Sequence, residues 1–179
     1  LYKLQETILA LSEQPGWRPI GFEAKFGIKG EPLLSIELDG EQALVRGVVD
    51  RIDCNDSGGL RVIDYKTGGA HMDKKDLLKG YRLQLPIYAL AARDALQLGD
   101  PVDGFYWKIM AADASPLKLA KFSSTEGSGV EGAIRVTRQH LQRIVSGIRA
   151  AQFQPKKPDG GCPGYCPAAQ WCWRFEAAR

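Results

Sequence analysis

A chain of 179 residues with 44% apolar, 25% charged and 9% aromatic residues has the makeup of one ordinary globular domain, which excludes a disordered or collagen-like polymer. At this size roughly 70% of the unfolded surface is buried on folding, so a core needs no disulfide staples. No apolar run approaches the ~20 residues of a membrane helix, and Leu1 to Ala10 lacks the charged start and long apolar stretch of a signal peptide; a cytoplasmic protein with no membrane contact is expected, and its net charge of +3 is too small to point to a nucleic-acid partner by itself.

Leu1, Leu4, Ile8 and Leu11 have helical spacing that stops before Pro15-Gly16. Phe22, Ala24, Phe26 and Ile28 alternate with Glu23 and Lys25, which predicts a half-buried strand. A second strand is expected over Leu33 to Leu38. The turn dipeptide Asp39-Gly40 follows, then a β-branched run from Leu44 to Asp53. The dense turn signal Asn55-Asp56-Ser57-Gly58-Gly59 leads into a strand over Leu60 to Lys66, so this pair reads as a hairpin. Beyond Gly68-Gly69 the period turns helical, with Leu77, Leu78, Tyr81, Leu85, Tyr88, Ala92 and Leu96 on one broad stripe. A strand is expected over Val102 to Met110 and a mobile polar loop over Ser123 to Gly129. Ser128 and Glu131 then form a capping-box pair before a helix carrying Val130, Ile134, Leu141, Ile144 and Ile148. Pro155, Pro158, Gly160 and Gly161 end it. Strands in the middle with helices before, between and after them predict an α/β domain with a mixed β-sheet flanked by helices.

Folding the hairpin about Ser57 makes paired residue numbers sum to 114, which sets Asp50 opposite Asp64 and puts Lys66 on the same face. Opposed side chains lie ~4.5–5.5 Å apart at Cβ, and like charges there destabilise a sheet. The same face carries Leu44, Val48, Ile52, Leu60 and Val62, so the acids interrupt a core-like surface on which unpaired charge is costly. A divalent cation between the carboxylates would offset the repulsion. Hard oxygen ligands with open positions favour Mg²⁺ or Mn²⁺. The competing reading is that Lys66 neutralises the pair in a partly buried ion cluster. Arg51 and Asp53 point to the other face by strand alternation and read as a supporting ion pair.

Three blocks surround these residues: Gly47-Val48-Val49-Asp50-Arg51-Ile52-Asp53, Asp64-Tyr65-Lys66-Thr67-Gly68 and Gln84-Leu85-Pro86-Ile87-Tyr88. In this order they resemble the RecB-like branch of the PD-(D/E)XK nuclease superfamily, over roughly Glu23 to Cys172. The resemblance implies a restriction-endonuclease-like core and a Mg²⁺- or Mn²⁺-dependent deoxyribonuclease, an exonuclease of bacterial DNA repair or recombination that works on DNA with a helicase or helicase-like region. It further implies that Asp50, Asp64 and the Tyr65 carbonyl ligate the metal. Lys66 would orient or activate the attacking water, and Gln84 and Tyr88, four apart on one helix face, would face the site and the DNA. Glu23 lies where relatives often carry a glutamate, and its role stays open. Lys74, Lys75, Lys79 and Arg82 are candidate phosphate contacts. The alternative function is a catalytically impaired nuclease fold that binds DNA or scaffolds a partner.

Cys54 stands alone, whereas Cys162, Cys166 and Cys172 crowd the C-terminus as C-x3-C-x5-C, unlike a disulfide framework. The trio resembles the C-terminal cysteines that hold a [4Fe–4S] cluster in several RecB-like nucleases together with an upstream cysteine. Three thiolates fall short of the usual four ligands. The division expected is a nuclease core over residues 1–154 and a cysteine-containing tail over 155–179 packed on it. No histidine precedes Asp50, while His71 and His140 follow it; relatives commonly take a further metal ligand from a histidine on an earlier helix. The expectation is therefore a C-terminal piece of a longer protein, without the helix that completes the metal site, and with weak activity alone.

Overall fold

The computed structural model describes residues 2–68, 72–155, 157 and 161–176; Gly69, His71, Pro158 and Gly160, all named above, lie outside them. The chain divides into two compact units, Leu1–Gln142 and Arg143–Arg179. The first unit is built on a five-stranded sheet. The opening helical pattern forms α1 (Tyr2–Ser12), and β1 (Trp17–Phe26) follows it. β1 starts earlier than the alternation predicts and stops short of Ile28, at Gly27 with φ 64°. Its pairing slips between Pro19 and Gly21, and Glu23 has a left-handed φ of 47°. The period of two is broken as a result: Phe26 is 1% exposed but Phe22 is 62% exposed, its ring lying against the Arg51 guanidinium at 5.7 Å.

The expected single strand from Leu44 to Asp53 is two strands, β3 (Glu41–Val45) and β4 (Gly47–Asn55). β3 pairs with β2 (Leu34–Leu38) in a separate hairpin. Asp39 and Gly40 close it with φ of 32° and 82°, the all-positive geometry that suits Asp-Gly and matches strand twist. β4 leaves that hairpin at Arg46 to join the main sheet. Leu44 therefore lies on the small hairpin and is exposed, not on the core-like face of the acids.

β4 and β5 (Leu60–Lys66) pair antiparallel through Arg51 with Ile63, Ile52 with Val62, Asp53 with Arg61 and Cys54 with Leu60, the register expected from folding about Ser57. Asn55 sets the turn: its Oδ1 accepts from Ser57 N (3.0 Å) and Gly59 N (2.7 Å). The long helical stripe expected next is broken into α2 (Lys74–Leu78) and α3 (Gln84–Leu90), which runs on into a π-helical turn, Ala91–Ala95. The break comes at Gly80, with φ 81°, where a Cβ would lie 2.7 Å from His140 Nδ1. Leu77, Leu85, Tyr88 and Ala92 keep their buried stripe, while Tyr81, past the break, is exposed.

The crossover delivers β6 (Pro101–Lys108) parallel to β5. β7 (Asp113–Lys118), which the sequence pattern missed, pairs antiparallel with β6. Its one large apolar residue is Leu117 and it contains Pro116, so it has no alternation to read and suits an edge. The order is β1-β4-β5-β6-β7, a mixed sheet as expected. Residues 123–129, expected as a mobile loop, fold into a small hairpin of β8 (Ser123–Ser124) and β9 (Gly127–Ser128), braced by Glu126 N donating to Ser124 Oγ at 3.1 Å. α4 (Gly129–Arg149) begins after it, with Glu131 ion-paired to Arg93 at 2.6 Å.

The sheet has two different faces. On one, Ile63, Phe105 and Trp107 pack against Leu11 of α1, and Trp107 Nε1 donates to Thr7 Oγ1 at 3.1 Å. The other carries Val62, Asp64 and Tyr106 toward α3, which packs on β5 and β6. In the second unit the segment after α4 closes on itself: Cys162 N donates to Glu176 O at 2.6 Å, and Lys157 ion-pairs with Glu176. Among the described residues no helix is long and apolar enough to cross a membrane.

Candidate active site

The α3-facing side of the sheet brings together all five side chains named as catalytic from the sequence. Asp50 lies one step past the Arg51–Ile63 pair, where the ladder yields to a side-chain contact: Asp50 Oδ2 accepts from Tyr65 N at 2.8 Å. One carboxylate oxygen is thereby fixed by the neighbouring strand and the other left for a ligand. Asp64, on β5, is 1% exposed. Burial pushes its carboxyl above the ordinary carboxylate range, Lys66 opposes this, Asp50 adds to it and Arg82 opposes it. Asp64 Oδ2 lies 2.6 Å from Lys66 Nζ, an ion pair whose support does not outweigh the burial of the carboxylate.

Lys66 Nζ donates to Gln84 Oε1 at 3.0 Å, and Gln84 Nε2 donates to Tyr88 Oη at 2.7 Å. The spacing of four residues on α3 makes this relay possible. Burial pushes the Tyr88 pKa above the ordinary tyrosine range; Gln84 opposes this, and the charges of Asp64 and Asp50 reinforce it. Phe26 seats the Tyr88 ring edge-on, with centroids 6.4 Å apart.

The basic residues named with these separate. Arg82 is half-buried and close enough for its charge to act on Asp64 and Tyr106. Lys74 and Lys75 are exposed on α2, with Lys74 Nζ donating to Ser123 Oγ at 3.4 Å. Glu23 is exposed on the edge strand. His140 Nε2 donates to Leu78 O at 3.0 Å, and His71 lies outside the described residues. Cys54, Cys162, Cys166 and Cys172 are free thiols. Among the described residues no three His, Cys, Asp or Glu side chains gather where they could hold a metal ion.

Two groups escaped the sequence. Arg51 and Asp53 form the expected ion pair on the far face, at 2.6 Å, but Arg61 joins it at 2.7 Å. Two guanidinium groups thus share a carboxylate that is 0% exposed, with Arg61 lying over the Trp17 ring at 4.4 Å. Pairing opposite Asp53 was legible from the register; burial of both arginines was not. Tyr106 is the other, set beside Asp64 in the parallel register of β5 and β6. Nothing in the sequence announces which strand lies parallel to β5. A cavity of about 660 Å³ lies between α1 and the far face and is lined by Leu4, Ile8, Leu11, Trp17 and Phe22 among others, with no carboxylate. Its mostly apolar wall also carries Arg18 and Arg51 but, unlike the α3 side, no acid that could ligate a hard cation.

That side has a donor set that fits a divalent cation. Asp64 is a buried carboxylate whose burial outweighs the support of Lys66, and Asp50 keeps one oxygen uncommitted to Tyr65. Mg²⁺ and its analogues take one or two carboxylates and complete their shell with water and substrate phosphate. Two carboxylates on adjacent strands could meet that need.

A family model described as the PD-(D/E)XK nuclease superfamily matches residues 2–173, through all three motif blocks. The chain belongs to the PD-(D/E)XK nuclease superfamily. Within it, the RecB-like character of the blocks agrees with the relatives. This nuclease-superfamily chain is 31% identical over 153 residues to an ATP-dependent helicase/deoxyribonuclease subunit of Moorella thermoacetica, a match covering 79% of the chain and 12% of the relative. It is 35% identical over 117 residues to the protein of the same name from Carboxydothermus hydrogenoformans, covering 60% of the chain and 11% of the relative. The chain spans about a tenth of the length of these curated relatives.

Proposed function

We propose that this domain hydrolyses phosphodiester bonds of DNA as a Mg²⁺- or Mn²⁺-dependent exonuclease, within a protein of bacterial DNA repair or recombination that acts with a helicase region. The observation that carries this reading is the grouping on one sheet face of Asp50, buried Asp64 and Lys66, with Lys66 Nζ tied to Asp64 at 2.6 Å and to Gln84 at 3.0 Å. Asp50, Asp64 and the Tyr65 carbonyl would hold the cation. When bound, the cation supplies Lewis-acid polarisation of a phosphoryl oxygen and lowers the pKa of water. The chain's own residues do the rest. Asp50, anchored by Tyr65 N, and Asp64, held in the sheet, keep two oxygens at fixed separation, so little reorganisation is needed as charge develops. Lys66 places an ammonium where it can orient water and stabilise a developing phosphorane charge. Gln84 restrains that ammonium, and Tyr88 restrains Gln84. Arg82 adds positive charge on the approach to Asp64, suited to a phosphate backbone.

One observation favours the second reading, a nuclease fold that only binds DNA: the carboxylate pair is not joined by a third acid, histidine or cysteine among the described residues. The two readings part in a cleavage assay on end-labelled linear single- and double-stranded DNA, titrating Mg²⁺ and Mn²⁺ against chelator, with Lys66→Met as control. Metal-dependent release of labelled nucleotides that Lys66→Met abolishes supports hydrolysis. DNA binding without cleavage at any metal concentration would overturn it in favour of the binding module.

A further inference from the structure

Tyr106 lies outside all three motif blocks, yet it forms the floor under Lys66. It is 0% exposed on β6, beside Asp64 in the parallel register. Its backbone is held in place by Ser115, whose Oγ accepts from Tyr106 N at 3.1 Å and donates to Leu117 O at 2.8 Å. The ring centroid is 5.4 Å from Lys66 Nζ, within the range in which an ammonium is attracted to an aromatic face. The hydroxyl is buried beside the Leu85 backbone of α3, and burial pushes its pKa far above the ordinary tyrosine range. The hydroxyl's neighbour is the α3 backbone, whereas the ring lies under Lys66.

The Lys66 ammonium is then bounded on three sides, by Asp64 Oδ2 at 2.6 Å, Gln84 Oε1 at 3.0 Å and the Tyr106 ring. Its side chain keeps 30% exposure, so one direction stays open. A lysine held by two polar contacts alone could swing on its four-carbon stem. We propose that Tyr106 is a positioning residue, whose ring face and not its hydroxyl holds the Lys66 ammonium between Asp64 and Gln84 and aims it at the open side. This rests on the proposed role of Lys66 in cleavage, but the placement can be measured without any activity.

The test uses the chain with isotopically labelled lysine, the Lys66 side-chain resonances being assigned by their loss in Lys66→Met. Ring current should displace the Lys66 ε-methylene protons upfield in the unmodified chain and in Tyr106→Phe. In Tyr106→Leu they should move to the position of the exposed lysines. In the Mg²⁺-dependent cleavage assay Tyr106→Phe should retain kcat, while Tyr106→Leu should lose about tenfold in kcat at unchanged KM, the rate equivalent of a partly desolvated cation–π contact. Loss of the same size in a folded Tyr106→Phe would assign the role to the hydroxyl and overturn the proposal. An unshifted Lys66 resonance in the unmodified chain overturns it whether or not the leucine variant folds. If the chain does not cleave DNA, the nuclease reading fails by itself, and the resonance positions still decide the placement.

Discussion

Replacing Asp64 by asparagine separates a cost in stability from a gain in ligand binding. Without a divalent ion the Asp64 carboxylate is 1% exposed, with Lys66 Nζ 2.6 Å from its Oδ2. Burial and Asp50 both work against its charge. A buried charge that its partners do not fully compensate costs about 1–3 kcal/mol or more, whereas the attraction to Lys66, whose side chain is 30% exposed, is worth about 1 kcal/mol or less after solvent screening. Asp64→Asn keeps the shape and removes the charge. In chelator the variant is therefore expected to be about 1 kcal/mol more stable, raising the melting temperature by about 2–4 °C for a chain of this size. A divalent cation should invert the order. A ligand at one hundred times its Kd adds about 2.7 kcal/mol to the native state, so Mn²⁺ should raise the unmodified chain by about 5–10 °C. The variant, left with Asp50 as its side-chain carboxylate in this pair, should hardly respond. Calorimetric melts in chelator and in Mn²⁺ read both effects. A variant several degrees less stable in chelator would make Asp64–Lys66 a structural ion pair, and an equal Mn²⁺ shift in both proteins would put the cation elsewhere.

Lys66→Met should leave the Mn²⁺-induced rise in melting temperature in place, since Lys66 donates no metal ligand, while cleavage falls by about a hundredfold or more; undiminished cleavage would return Lys66 to a counter-ion. Asp53→Asn should destabilise by about 3–5 kcal/mol in urea unfolding, because it strands Arg51 and Arg61, 7% and 3% exposed, without their shared carboxylate; a loss below about 1 kcal/mol would mean that the aromatic rings around Arg61 suffice. Gly80→Ala should cost more than about 1 kcal/mol, since φ is 81° and the new Cβ would meet His140 Nδ1 at 2.7 Å, and a neutral melt would show that α2 and α3 can shift apart.

The hairpin that carries the acids was legible because its determinants are local. Asn55 and the glycines around Ser57 set the turn, the turn sets the register, and the register with the period of two puts Asp50, Asp64 and Lys66 on one face. The spacing of Gln84 and Tyr88 is likewise a property of one helical turn, and so is their hydrogen bond. Where packing partners come from far along the chain, the pattern misled. Leu77 to Leu96 reads as one amphipathic helix, and only His140, arriving on α4, shows why Gly80 must interrupt it. Leu44 to Asp53 reads as one strand, because hydrophobicity does not say that its first half pairs with β2 and its second with β1 and β5. Phe22 alternates correctly yet is exposed on the edge strand, since the irregular pairing of β1 re-phases it.

The sequence by itself determined the family, the hairpin and the spacing of the five candidate side chains within their motifs, all of which depend on neighbours within one turn or one motif. Only the tertiary structure decided which strand lies parallel to β5. That choice brings Tyr106 under Lys66 and sets Phe105 and Trp107 against α1. The physical reason is that hydrogen bonds between parallel strands use the backbone alone and are the same for every side chain. The pairing is selected by how the intervening helices bury their apolar faces, and no local pattern records that.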